Sequence, residues 1–380
     1  MTLMEKAKYN NVEYLKILFN KGVIDICTGE KNSFFITING SFIKLSEKFY
    51  EVLKVIKYEH DLEKIKNLTN SKTFENLCDL LRKKESSNDN SSYIYFKIKV
   101  INGNIVNFIS SYLSILFYRR IFKYLLPLSI IFNFIFYYFH FQNYKIDFST
   151  IDLLVYYIIL ISIMIMHEFG HAAACKYHGI QPSDIGFGFY IFFPVFFANV
   201  TNIWILSKNK RIIVNVGGIY FQLIINLLLI IISYYYNNNI LTKIINVNLF
   251  VACYSLIPFL RNDGYWIYSD YFNIPNLSTR SRYYSINIIT DFIKRQKRAI
   301  NYPLFIYSIG NSLFLFFIVF NYLKILRFNI NTIFLSSDNS TIMMKGFVTI
   351  VTTFFFIIFL KRYLISFLKQ VKIYFYGETL

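Results

Sequence analysis

The 380-residue sequence is poor in cysteine and poor in charge. Its four cysteines, Cys27, Cys78, Cys175 and Cys253, are scattered along the chain. No pair has the spacing of a disulfide framework or a zinc knuckle, so both are excluded and free buried thiols are expected. Charged residues make up only 16% of the chain, against 55% hydrophobic and 20% aromatic residues. The charge falls between long runs that carry almost none, and about 20 apolar residues are what a bilayer demands of a helix. A soluble multidomain chain is excluded on that ground. Acidic residues are the scarcer sign, 22 against 40 Lys and Arg, for a net charge of +18. The basic residues gather in no single patch, which argues against a nucleic-acid partner. They lie instead in loops between apolar runs, where the positive-inside rule places them. The opening residues, MTLMEKAKYNN, lack a signal-peptide core, so insertion is expected to use the internal runs. Heavy use of Ile, Asn, Lys, Phe and Tyr points to an AT-rich genome, as in a low-GC bacterium.

Along the chain, residues 1–84 read as a small soluble domain. The apolar stretches 34–38 and 42–45 flank Asn39-Gly40-Ser41, a strong hairpin signal. Ser46 is placed to cap a helix with Phe49, Val52, Leu53 and Ile56 on one face. Leu62, Ile65 and Leu68 mark a second short helix. Thr73 can cap a third, carrying Phe74, Leu77, Leu80 and Leu81. A hairpin with three short helices is a winged-helix-sized α+β unit. Residues 84–92 (KESSNDNSS) are a polar linker, and residues 93–118 read as an interfacial lead-in. From 119 the chain is mainly α and polytopic, with about six transmembrane helices expected at 121–141, 151–174, 212–236, 240–260, 301–323 and 342–360. Residues 119–300 form the expected membrane core, and 301–380 the C-terminal helices and basic tail. Residues 185–200 (IGFGFYIFFPVFFANV) are too short and glycine-broken to cross, and suit a re-entrant or hairpin segment. The loops 174–211 and 261–300 and the tail beyond 360 are basic, and the opposite loops are not. This places both termini in the cytosol of a multi-pass cell-membrane protein.

One segment carries chemistry. Met166-His167-Glu168-Phe169-Gly170-His171 contains the pattern HExxH at the end of the second run. Histidines at i and i+4 share a helical face, so both imidazoles can bind one zinc ion. Zinc lowers the pKa of a bound water to about 7, and Glu168 beside it can serve as general base and then general acid. Ionisable residues are expensive inside a span, so such a cluster needs a functional reason. A catalytic zinc also needs a third protein ligand. His178 lies seven residues past His171 and lacks the glycine turn of extended zincin motifs. Cys175 rotates off the face, and His60 and His140 are isolated. Asp263, in Pro258-Phe259-Leu260-Arg261-Asn262-Asp263-Gly264, follows the fourth run. The charge-derived topology brings it to the same cytosolic face as His167 and His171; an ordinary turn residue before Gly264 is the other reading.

HEFGH on one span and a proline-containing Asp-Gly turn after a later one resemble the site-2 protease family of membrane zinc metallopeptidases. RNDGYWIYSDYFNIPNL, GFGFYIFFPVFFANV and VNVGGIYFQLIINL are similar to its peptide zinc metalloprotease branch, found beside genes for ribosomally made, modified peptides. The likeness covers about residues 95–300 and implies zinc on His167, His171 and Asp263, with Glu168 as base. Three positions depart from the family pattern. Ile257 precedes Pro258 where Asn is usual, and Gly218 is followed by Ile219 where Pro is usual, with Gln222 in place of a later Asn. Gln222, or Asn226 one turn on, is read either as a donor to a tetrahedral oxyanion or as an interhelical hydrogen bond. The N-terminal unit resembles, more weakly, winged helices that bind leader peptides, and strand addition at an exposed edge would suit that role. A cytosolic cap without a ligand is the alternative. The expectation is a membrane-embedded zinc metalloendopeptidase. It would cleave a precursor, leader or membrane peptide near the cytosolic face in bacteriocin-like maturation, with a peptide exporter as a partner. The competing class is a non-hydrolytic peptide-binding partner in export or immunity, for which Glu168 would have no use. A transporter is disfavoured because no pair of broken helices repeats.

Overall fold

The computed structural model describes residues 3–30, 33–38, 41–59, 64–65, 68, 74–79, 81, 94–140, 150–190, 193–236, 239–293, 300–335 and 339–376. Helices dominate, with two small three-stranded sheets. The chain divides into two units, one of Met1–Tyr190 with Pro194–Ala252, the other of Cys253–Leu380 with Ile191–Phe193.

The first unit opens with helix α1 (Leu3–Asn20). Gly22 ends it at φ +66°, a left-handed position that lets the Val23 N–H donate to Leu18 O at 3.0 Å. Strands β1 (Ile24–Gly29), β2 (Ser33–Ile38) and β3 (Ser41–Leu45) follow in an antiparallel meander. The expected hairpin is present, with Phe34 opposite Leu45 and Ile38 opposite Ser41; Asn39 and Gly40 lie outside the described residues. Helix α2 (Glu47–Lys54) is capped as expected, the Ser46 hydroxyl accepting from the Phe49 N–H at 3.5 Å. Leu15, Ile24, Ile36, Ile38, Leu53 and Ile56 form one core. Ile65, Phe74, Leu77 and Leu81 from the two further expected helices join it, while Leu62, Thr73, Leu80 and the linker 84–92 lie outside the described residues. Helix α1 and strand β1 had no counterpart in the sequence reading, although Val12, Leu15 and Leu18 are buried at helical spacing.

Strand β4 (Ile94–Ile101) leads into helix α3 (Gly103–Leu113), where the Asn102 side chain accepts from the Asn104 N–H at 3.0 Å. Helices α4 (Arg119–His140) and α5 (Thr150–Tyr177) come next. Gly179, at φ +81°, stops α5 and allows the Ile180 N–H to donate to Cys175 O at 3.0 Å. Strands β5 (Ile185–Tyr190) and β6 (Phe193–Ala198) then join β4 in the order β4-β5-β6. Residues 185–190 and 193–198 therefore form adjacent strands, and part of the expected lead-in is their third strand. Helices α6 (Lys208–Tyr235) and α7 (Asn239–Ser255) complete this unit's helical set.

In the second unit, helix α8 (Asp263–Tyr271) follows the Pro258 turn, and helices α9 (Leu277–Ile293), α10 (Tyr302–Leu335) and α11 (Asn339–Tyr376) follow. Tyr265, Ile274, Leu277 and Tyr307 form its core. Tyr307 Oη donates to Pro258 O at 3.1 Å, tying the turn to α10.

Among the described residues, four helices are long and apolar enough to cross a membrane: Arg119–His140, Leu154–Tyr177, Lys208–Tyr235 and Tyr302–Phe334. They coincide with four of the expected runs. The run at 240–260 is instead the 17-residue α7, which stops at Ser255 and buries Lys243, Asn246 and Asn248. The last run falls within α11, where the apolar stretch is the shorter Ile342–Ile358.

Candidate active site

The site is built where α5 meets α6. Gly170 and Gly217 make the close approach possible. A Cβ on Gly170 would lie 2.3 Å from Gly217 O, and one on Gly217 would lie 2.6 Å from Gly170 O. Small residues at such a crossing let two backbones touch. One residue further, a Cβ on Gly218 would lie 2.5 Å from His167 Nε2 and 2.6 Å from His171 Nε2. The bare backbone of Gly218 therefore leaves a cradle beside both imidazoles.

Each ring is held from behind. His171 Nδ1 lies 2.8 Å from Val214 O. A carbonyl can only accept, so Nδ1 carries the proton and Nε2 has a lone pair. His167 Nδ1 lies 2.9 Å from Gln222 Oε1, while Gln222 Nε2 donates to Asn248 Oδ1 at 2.9 Å. His167 thus adopts the same tautomer. The two Nε2 atoms face each other at 3.1 Å. Two lone pairs at that separation repel, and a cation shared between them removes the conflict. Imidazoles whose second nitrogen is anchored to an oxygen are how proteins present histidine to a metal. The residues present fit a metal ion.

Glu168, one position after His167, is buried. Its Oε2 accepts from the Ala198 N–H at 2.6 Å, at the end of β6. The carboxylate is thus tied to the sheet. Gly186 on β5 leaves room for the Phe197 ring, which a Cβ would meet at 2.4 Å.

Gln222 and Asn226 are both buried and both make interhelical hydrogen bonds. Asn226 Nδ2 donates to Asn133 Oδ1 on α4 at 2.7 Å and to Ile245 O on α7 at 3.0 Å. Asp263 belongs to the second unit and is the first residue of α8, next to the N-cap position at Asn262. A carboxylate is favoured in a helix's first turn. Gly264 permits the tight return of the chain, since a Cβ there would lie 2.0 Å from Leu256 O. The structure thus gathers His167, Glu168, His171 and Gln222 in the first unit. Of the residues set aside as ligands, Cys175 is buried, and His140 Nδ1 pairs with Phe136 O at 3.0 Å. Burial, then the nearby Lys210 charge, pushes the His178 imidazole down, toward its neutral form. His60 lies outside the described residues. Sequence reasoning missed Val214 O, Asn133, Asn248 and Gly218. The asparagines carried a signal, being polar residues in apolar runs; the backbone carbonyl carried none.

Known proteins resemble this chain in sequence. Over 120 residues the chain is 31% identical to the Bacillus subtilis (strain 168) protein named "Putative peptide zinc metalloprotease protein YydH". That stretch covers 31% of this chain and 46% of the relative, so less than half of the relative's length is matched. No solved structure matches. The family model for Peptidase family M50 matches residues 155–361, which include HExxH, α6 and the Asp-Gly turn. Since that match spans more than half of the sequence, the chain belongs to peptidase family M50.

Proposed function

We propose that this protein is a membrane-embedded zinc metallopeptidase that hydrolyses a peptide bond of a precursor, leader or membrane peptide near the cytosolic face. The observation that carries the reading is the pair of Nδ1-protonated imidazoles whose Nε2 atoms face each other beside Glu168. Membership of a peptidase family supports it. His167, His171 and Asp263 are the proposed ligands, two imidazoles and a carboxylate being donors that a catalytic zinc takes. When bound, zinc supplies Lewis-acid polarisation and makes water nucleophilic near neutral pH. Glu168 takes the proton of the attacking water and returns it to the leaving amine nitrogen. The Ala198 N–H holds that carboxylate in place through its Oε2. Strand β6 ends the sheet order, so its outer edge is suited to an extended peptide. The N-terminal unit is proposed as a winged-helix-like recognition domain for a leader peptide. Both termini face the cytosol of a multi-pass protein, and the setting is maturation of a ribosomally made peptide with an exporter as partner.

The test compares peptides from producing cells that carry the wild-type protein or Glu168→Gln. That substitution keeps the metal ligands and removes the base. A wild-type fragment that disappears while a longer precursor accumulates is the expected result, and it names the substrate and the cut together. Identical peptide profiles, with the variant expressed and holding zinc, would overturn hydrolysis and favour a peptide-binding role.

A further inference from the structure

Behind His167 runs a chain of four buried side-chain amides. Gln222 Nε2 donates to Asn248 Oδ1 at 2.9 Å, Asn248 Nδ2 to Asn226 Oδ1 at 2.8 Å, and Asn226 Nδ2 to Asn133 Oδ1 at 2.7 Å. The four are each at most 2% exposed. They come from α4, α6 and α7, which this chain of bonds joins.

An amide can be turned end for end, so the direction of such a chain needs a cause. Main-chain carbonyls supply it at three links. Asn133 Nδ2 donates to Ser129 O at 2.7 Å and to Leu223 O at 3.1 Å. Asn226 Nδ2 donates to Ile245 O at 3.0 Å, and Asn248 Nδ2 to Gln222 O at 3.1 Å. A carbonyl never donates, so each asparagine must turn its NH2 toward one and its oxygen the other way. The oxygen of Asn248 then takes the Gln222 NH2, and only the Gln222 oxygen is left to face His167. Reversal of any amide would set NH2 against an N–H or oxygen against a carbonyl in a buried, low-dielectric place, which is costly.

We propose that Gln222, Asn248, Asn226 and Asn133 act as a polarised amide relay that holds the proton of His167 on Nδ1 and its lone pair on Nε2. They are positioning residues for the metal ligand. None of the four titrates, so the polarity is independent of pH. The three helices are thereby registered against the same imidazole. The inference deepens the proposed metallopeptidase reading and rests on it for the presence of a metal at His167.

The test is metal affinity of the purified full-length protein in detergent, measured with zinc alone against a chelator. The visible spectrum with cobalt(II) reports ligand geometry. Outer-shell partners of a metal-bound histidine are worth about 10- to 100-fold in affinity. Gln222→Leu is expected to lose about that much. Gln222→Glu keeps an oxygen toward His167 and is expected to bind zinc at least as tightly as wild type. Asn248→Ser, which frees Gln222 to turn, is expected to fall between Gln222→Leu and wild type and to broaden the cobalt spectrum. If Gln222→Leu does not accumulate as folded protein, Gln222→Glu and Asn248→Ser decide. A purely structural role predicts lower thermal stability with unchanged affinity in the folded protein. Wild-type affinity in Asn248→Ser, or weak binding in Gln222→Glu, overturns the relay. A wild-type protein that binds no zinc, or binds it undiminished after His167→Ala, overturns the metal reading itself, a distinguishable outcome.

Discussion

A Cβ on Gly218 would lie 2.5 Å from His167 Cε1 and Nε2, closer than real Cβ atoms come. The atoms in its way are the ends of two imidazoles, each pinned at Nδ1. Gly218→Ala must therefore push the rings off their axes. Displacement of a reacting group by about 1 Å costs on the order of 100-fold in rate, and a loss of that size is expected here. Zinc content of the purified variant should fall with it. Full zinc content with normal turnover would show that the cradle is not used. Glu168 depends on its surroundings in a similar way, because the Ala198 N–H that holds it belongs to a strand and not to its own helix.

Among the elements, α6 carries the most of the site. It supplies Val214 O behind His171, Gly218 beside both rings, and Gln222 behind His167. Its start is held by Glu30, the residue that follows strand β1. The Glu30 carboxylate accepts from the Ser207 N–H at 3.2 Å and pairs with the Lys210 ammonium. The Lys210 hydrogen bond, helped by Ser207, holds the Glu30 carboxyl below its ordinary value. A lowered pKa adds stability that is complete above the ordinary value of about 4.3 and is lost as pH falls through the lowered one. The contact is largely exposed, so its worth is about 0–1 kcal/mol. Hydrogen exchange at residues 207–211 should therefore be constant from neutral pH down to about 5 and accelerate, beyond the intrinsic rate, below about 4. Glu30→Gln should remove that acid step. A step unchanged in the variant would assign it elsewhere.

At the scale of the molecule, four helices among the described residues meet the length and composition of a membrane crossing, and the family match runs through three of them. The asymmetry of basic loops then predicts the orientation. Reporter fusions before Met1 and after Leu380 should be active only in the cytosol. An active fusion on the outer face at either end would refute the proposed topology and move the cleavage to the other side of the membrane.

Much of this was legible in the chain alone. Charge-free runs, the Asn39-Gly40 hairpin, the Ser46 cap and the HExxH spacing are local patterns. Bilayer thickness, turn chemistry and the helical repeat act within a few residues, so the chain states them directly. The helix α1, the third strand at 94–101 and the short, buried α7 were not legible. Their stability comes from partners far along the sequence, such as Ile98 opposite Phe187. The same holds for the back of the site. His167 and His171 were named from their spacing, but which nitrogen of each carries the proton depends on Val214 O and on an amide chain from three helices. Sequence by itself determined the candidate residues for the proposed chemistry, because their types and spacing are local. The tertiary structure decided their protonation and aim, because the hydrogen bonds that set these join residues as far apart as Asn133 and Asn226.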